Sequence, residues 1–97
     1  MHIVEAEGIL NTEQGQLILL KVKEAMADNA DDVWIDCGNV SFMDSMGLGC
    51  LIQALKHVRS HGHTIHLCHI NQQLKTVLEL TNADTIFSLQ AEAPGRN

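Results

Sequence analysis

The sequence predicts an α/β fold: one small domain built on a mainly parallel, open sheet of about four strands with three or four packed helices. Three observations carry this. Short β-rich runs alternate with segments of helical period along the whole chain. The helical segments place apolar residues at i, i+3, i+4 and i+7. Asn and Gly punctuate the junctions, at Asn11, Asn29, Gly62, Asn71 and Asn82. Ninety-seven residues, 45% hydrophobic and 19% charged, suffice for one folded core but not two. The domain is expected over residues 1–92, with 93–97 a disordered C-terminal tail.

His2 to Leu10 alternates as a strand does, and Gly8 marks a bulge or bend in it. Asn11-Thr12 starts a helix with Glu13 in its first turn. Ile18, Val22, Ala25 and Met26 form its buried stripe, flanked by Leu17 and Leu20, and it ends near Asp28-Asn29. Val33–Cys37 is nearly all apolar, as a strand covered on both faces would be, with Trp34 in the sheet core. Leu48, Leu51, Ile52, Leu55 and Val58 give the strongest helical signature, and Gly62 stops it. Thr64–His69 reads as a third strand, Ile65 and Leu67 on one face, His66 and Cys68 on the other. Asn71 caps a short helix carrying Leu74, Val77 and Leu78, which Asn82 closes. Ile86–Leu89 is a last short strand.

Composition excludes several classes of function. A net charge of −6, with only six Lys and Arg and no two adjacent, argues against binding nucleic acid. An acidic surface suits a basic or mixed protein partner. The three cysteines lack CxxC spacing and are odd in number, which favours a reducing, cytoplasmic setting over a disulfide framework. The N-terminus carries Glu5 and Glu7, unlike a signal peptide, and no apolar run reaches membrane-spanning length, so no membrane contact is expected. The histidines of HVRSHGHTIHLCH offer metal-ligand types, with His57 and His61 at i, i+4 and His66 beside Cys68. No spacing among them matches a zinc module, so no metal or cofactor is expected. GxSxG is absent, which argues against a serine hydrolase and for a protein that is not an enzyme. Asp32, Asp36 and Asp44 resemble the acidic cluster of a receiver domain only distantly, for no matching lysine follows a late strand.

The informative stretch is VSFMDSMGLGCL, where an apolar run stops at Asp44-Ser45 and a helix begins. Either side chain can cap that helix. Gly47 and Gly49 in the opening turns weaken the helix by about 1 kcal/mol each relative to alanine. Their missing side chains would let another molecule approach Ser45. A phosphate on Ser45 would lie near the helix N–H groups, a favourable place for an anion, and would add a charge of about −2 to the surface.

FMDSMGLGCL, following VWIDCGNV, resembles the signature of the STAS domain family, the anti-sigma factor antagonist domains also found at the ends of sulfate transporters. EGIL is similar to the family's early strand and turn, and LKTVLELTNADTIFSL to its closing helix and strand. The resemblance implies that Ser45 is phosphorylated by an anti-sigma factor with serine kinase activity. It implies that the unmodified form binds that factor and frees a sigma factor, and that a serine phosphatase resets the switch. Asp44 matches the motif's aspartate, Gly47 and Leu48 its glycine-leucine pair. The expected partner surface is Asp44, Ser45, Met46, Gly47, Leu48 and Gly49. Met46 stands where many members carry a second serine. The family also has a further N-terminal strand before the one matched to Ile3–Glu7, and its place here is short, replaced or vacant, leaving an edge that can pair with another chain. The alternative is a constitutive scaffold or accessory subunit of the same fold, in a stress-signalling or lipid-transport complex, without phosphorylation.

Overall fold

Asparagine and aspartate caps divide the chain as its sequence pattern predicts. The computed structural model describes residues 2–93. It runs β1 (His2–Leu10), α1 (Thr12–Ala27), β2 (Val33–Met43), α2 (Ser45–Ser60), β3 (Ile65–Cys68), α3 (Gln72–Leu80), a 3-10 turn (Ala83–Thr85) and β4 (Ser88–Gln90). Asn11, Asp44 and Asn71 each accept the backbone N–H three residues on, at 3.1, 2.8 and 2.9 Å. These bonds occupy donors that a helix start leaves unpaired. Asn29 and Gly62 follow α1 and α2 with φ of 59° and 81°, the left-handed step that ends a helix.

All strand pairs are parallel, and the order in the sheet is the order in the chain, β1-β2-β3-β4. Parallel crossovers are almost always right-handed, so strands laid down in chain order send every connecting helix to one face. Burial follows that rule. Val33, Ile35 and Cys37 are buried under the helices, while Trp34 and Asp36 are half-exposed. This corrects the expectation of a β2 covered on both faces. Trp34 lies on the uncovered face, stacked on His66 with ring centroids 4.3 Å apart, instead of in the core. Its run of apolar neighbours concealed an alternation in which the large aromatic faces outward.

β3 is one residue shorter at each end than expected, Ile65–Cys68, and two other boundaries differ by more. β2 continues past Cys37 to Met43, because β1 tracks it through two register shifts, at Glu5/Glu7 and Gly8/Ile9. Those shifts are the irregularity foreseen at Gly8, whose φ is 69°. The last strand begins at Ser88, since Ile86 and Phe87 send their N–H groups back to Ala83 and finish the 3-10 turn. Ile18, Val22, Leu51, Leu55, Leu67 and Leu78 make the centre of the core. Leu17 and Leu20 lie off the buried stripe and are exposed. β1 is an edge of the sheet among the described residues. Of the tail expected over residues 93–97, Ala93 is buried and the others lie outside the described residues.

Candidate functional site

The motif lies at the carboxyl end of β2, where the chain turns into α2. Asp44, not Ser45, is the N-cap: its Oδ1 accepts from Gly47 N–H at 2.8 Å. Ser45 becomes the first helical residue and is exposed. The hydroxyl is thereby relieved of the capping role and presented to solvent at the positive end of the α2 dipole.

Three contacts from outside the motif fix this corner. Asp44 N–H donates to the Leu10 carbonyl at 3.2 Å, tying the loop to the end of β1. Gly47 lies against the same carbonyl, and a Cβ there would come 2.6 Å from its carbon and overlap its oxygen. The glycine therefore serves close packing within the domain, which corrects the expectation that it opens a path for a partner. Gly49 does have open space around it: nothing lies within 4 Å of a Cβ built there. The third contact comes from α3. β3 stops at Cys68, paired with Asp36, so the later part of β2 has no strand on that side. Gln73 takes the strand's place, donating to Met43 O at 3.0 Å and accepting from Met43 N–H at 2.8 Å. Asn71 adds a donor bond to Val40 O at 3.0 Å. Sequence reasoning gave Asn71 a cap and Gln73 nothing, because a side chain standing in for a strand leaves no local pattern.

Of the six residues expected at the partner surface, Ser45 and Met46 are exposed, Asp44 and Gly49 half-buried. Gly47 and Leu48 are buried and support the surface from beneath. The exposed set gains two members that sequence reasoning missed. Ile9 and Phe42 are register partners on β1 and β2, 53% and 47% exposed, and Met46 is 61% exposed. β-branched and aromatic residues at a strand's end signal a strand, not its exposure. An open groove of about 560 Å³ adjoins Ile9, bounded also by Glu7, Gly8, Asn11 and Glu13.

The other candidates separate. Asp32 and Asp44 flank an eleven-residue strand at opposite ends and Asp36 lies within it, so no receiver-like acidic cluster forms. His57 and His61 have rings tilted by 51°, and His61 Nδ1 is engaged by the His57 carbonyl at 3.0 Å. His66 is a packed residue on β3, as expected. Its Nε2 lies 2.9 Å from Asp32 Oδ2 and its Nδ1 2.6 Å from the Ser88 hydroxyl. That chain ties β4, β3 and the approach to β2 together. The Thr64 backbone N–H, followed by His66, holds the Asp32 carboxyl below its ordinary value of 3.8. Cys37, Cys50 and Cys68 are buried thiols. Burial, then the neighbouring Cys68 and Asp36, pushes Cys37 up to about 12, so it stays protonated and unreactive.

Parallel strands in chain order, with an exposed serine one residue past an aspartate N-cap, define the class: a small single-sheet α/β domain. The STAS domain profile matches residues 2–93, and the chain belongs to that family. The anti-sigma-B factor antagonist of Bacillus subtilis is 29% identical over 70 residues, covering 72% of this chain. The match spans 64% of that relative's own length. The solution structure of the Thermotoga maritima protein TM1081 is similar with a TM-score of 0.79 and 28% identity, over 91% of this chain and 71% of that one. The anti-sigma factor antagonist SpoIIAA, in its unphosphorylated form, shares the fold: TM-score 0.72 and 15% identity, over 94% of this chain and 79% of that one. No helix among the described residues is long and apolar enough to cross a membrane.

Proposed function

We propose that this domain is an anti-sigma factor antagonist, a protein-binding switch set by phosphorylation of Ser45. The unmodified form binds an anti-sigma factor with serine kinase activity, through Ser45, Met46 and the exposed pair Ile9 and Phe42, and so releases a sigma factor. The kinase then transfers phosphate to the Ser45 oxygen, and the added charge and bulk weaken the contact. Asp44 sharpens the repulsion, since its carboxylate is adjacent to the new phosphate. A serine phosphatase restores the binding form. No catalysis by the domain itself is needed.

The observation that carries this reading is the division of labour at the start of α2. Asp44 accepts the Gly47 N–H, and Ser45 is exposed. Had the serine been the cap, its oxygen would have been engaged with the backbone. The name of the Bacillus subtilis relative supports the choice of partner. The test is intact mass and phosphosite mapping after incubation with a serine kinase of the anti-sigma class and ATP. A single phosphate at Ser45, absent from Ser45→Ala, is expected. A chain that binds the kinase yet acquires no phosphate at Ser45 would instead indicate the constitutive scaffold.

A further inference from the structure

The uncovered face of the sheet carries a polar row that the switch does not use. Glu5, Asp36, Cys68 and Gln90 are register partners across the four strands. His69 follows Cys68 directly, in a left-handed conformation with φ of 55°, its N–H donating to Ala91 O at 3.3 Å. That turn brings its ring back over the sheet, with Nδ1 3.0 Å from Asp36 Oδ1. Gly38 N–H also donates to Asp36 Oδ1, at 2.9 Å, which fixes the carboxylate's orientation. A carboxylate oxygen, a thiol sulfur and an imidazole nitrogen here all lie within 4.8 Å of one another.

We propose that Asp36, Cys68 and His69 form a binding site for one zinc-class divalent cation at the end of β3, in which the Cys68 sulfur is buried and the Asp36 and His69 side chains are partly exposed. Sulfur, imidazole and carboxylate together are the donor set of a borderline-soft ion that accepts tetrahedral geometry, and three protein ligands leave a fourth position for water. Ligand atoms sharing a tetrahedral zinc lie roughly 3.3–3.7 Å apart, so closing the cluster needs side-chain movements of about 1 Å. The supporting frame is already in place. Two ligands are held by adjacent strands in register, the third by a left-handed turn, and Gly38 supplies an outer hydrogen bond. On binding, the thiol proton leaves to solvent, and the imidazole proton moves from Nδ1 to Nε2 as Nδ1 takes the ion. The neighbouring Glu5 adds negative charge to the row. The tandem histidines that first suggest metal, His57 and His61, lie at the end of α2 and contribute nothing to this cluster.

The test is titration of the reduced, chelator-treated chain with cobalt(II), then displacement by zinc. One equivalent is expected, with a thiolate-to-cobalt charge-transfer band. Cys68→Ser and His69→Ala should each lose the band and bind zinc at least about tenfold more weakly, while His61→Ala leaves both unchanged. Far-UV circular dichroism checks that each variant is folded. His69 is half-exposed, so His69→Ala decides the matter should Cys68→Ser fail to fold. The proposal is overturned by the absence of a thiolate band in the unaltered chain, by a band that persists in a folded Cys68→Ser or His69→Ala, or by one that disappears with His61→Ala.

Discussion

Adjacent residues divide two roles at the start of α2, and substitutions separate them. Asp44→Ala removes the cap on Gly47 N–H and should cost about 1 kcal/mol of stability. Ser45→Ala removes an exposed hydroxyl and should change stability by less than about 0.5 kcal/mol, although it deletes the proposed phosphate acceptor. Gly47→Ala drives a methyl group into the Leu10 carbonyl and should cost about 3 kcal/mol or prevent folding. Gly49→Ala meets open space and should gain up to about 1 kcal/mol. Urea denaturation of the four variants checks the set. Sequence inspection treats the two glycines alike, since both weaken a helix start. Only the fold, by bringing the end of β1 against α2, tells them apart.

Among the elements, β2 relates the sheet to the site. Its first part is held between β1 and β3, and its last part between β1 and the side chains of Asn71 and Gln73. Gln73→Ala removes both bonds to Met43 and should cost roughly 1–3 kcal/mol. Hydrogen exchange should show faster exchange at the Met43 and Asp44 amides, ahead of any global loss. How legible each element was depends on the range of the forces shaping it. Caps and helical stripes are local, so Asn11, Asn71 and the Leu48–Val58 stripe could be read directly. The extension of β2 to Met43, the late start of β4 and the outward face of Trp34 depend on strand order, which no window of adjacent residues contains. The same holds for Ile9 and Phe42, which meet only through pairing.

At the scale of the whole molecule, chain-order strands give the domain two distinct surfaces. Helices cover one face of the sheet; the other carries Trp34 on His66 and the Asp32–His66–Ser88 chain. Folding lowers the Asp32 value beneath 3.8, so its contribution to stability is complete above that pH and is lost as the pH falls through the lower folded value. The stability gap between the native chain and Asp32→Asn, measured by urea unfolding, should be open at neutral pH and close in acid. A gap that widens below 3.8 would contradict the assignment. The proposed switch belongs to the other exposed corner, where α2 begins. The most direct test of it is the affinity of the anti-sigma kinase for the domain stoichiometrically phosphorylated at Ser45, against the unmodified domain and Ser45→Ala. The unmodified and alanine forms should bind alike, and the phosphorylated form at least about tenfold more weakly, as expected for like charges forced together at an interface. Equal affinity of all three would contradict the account.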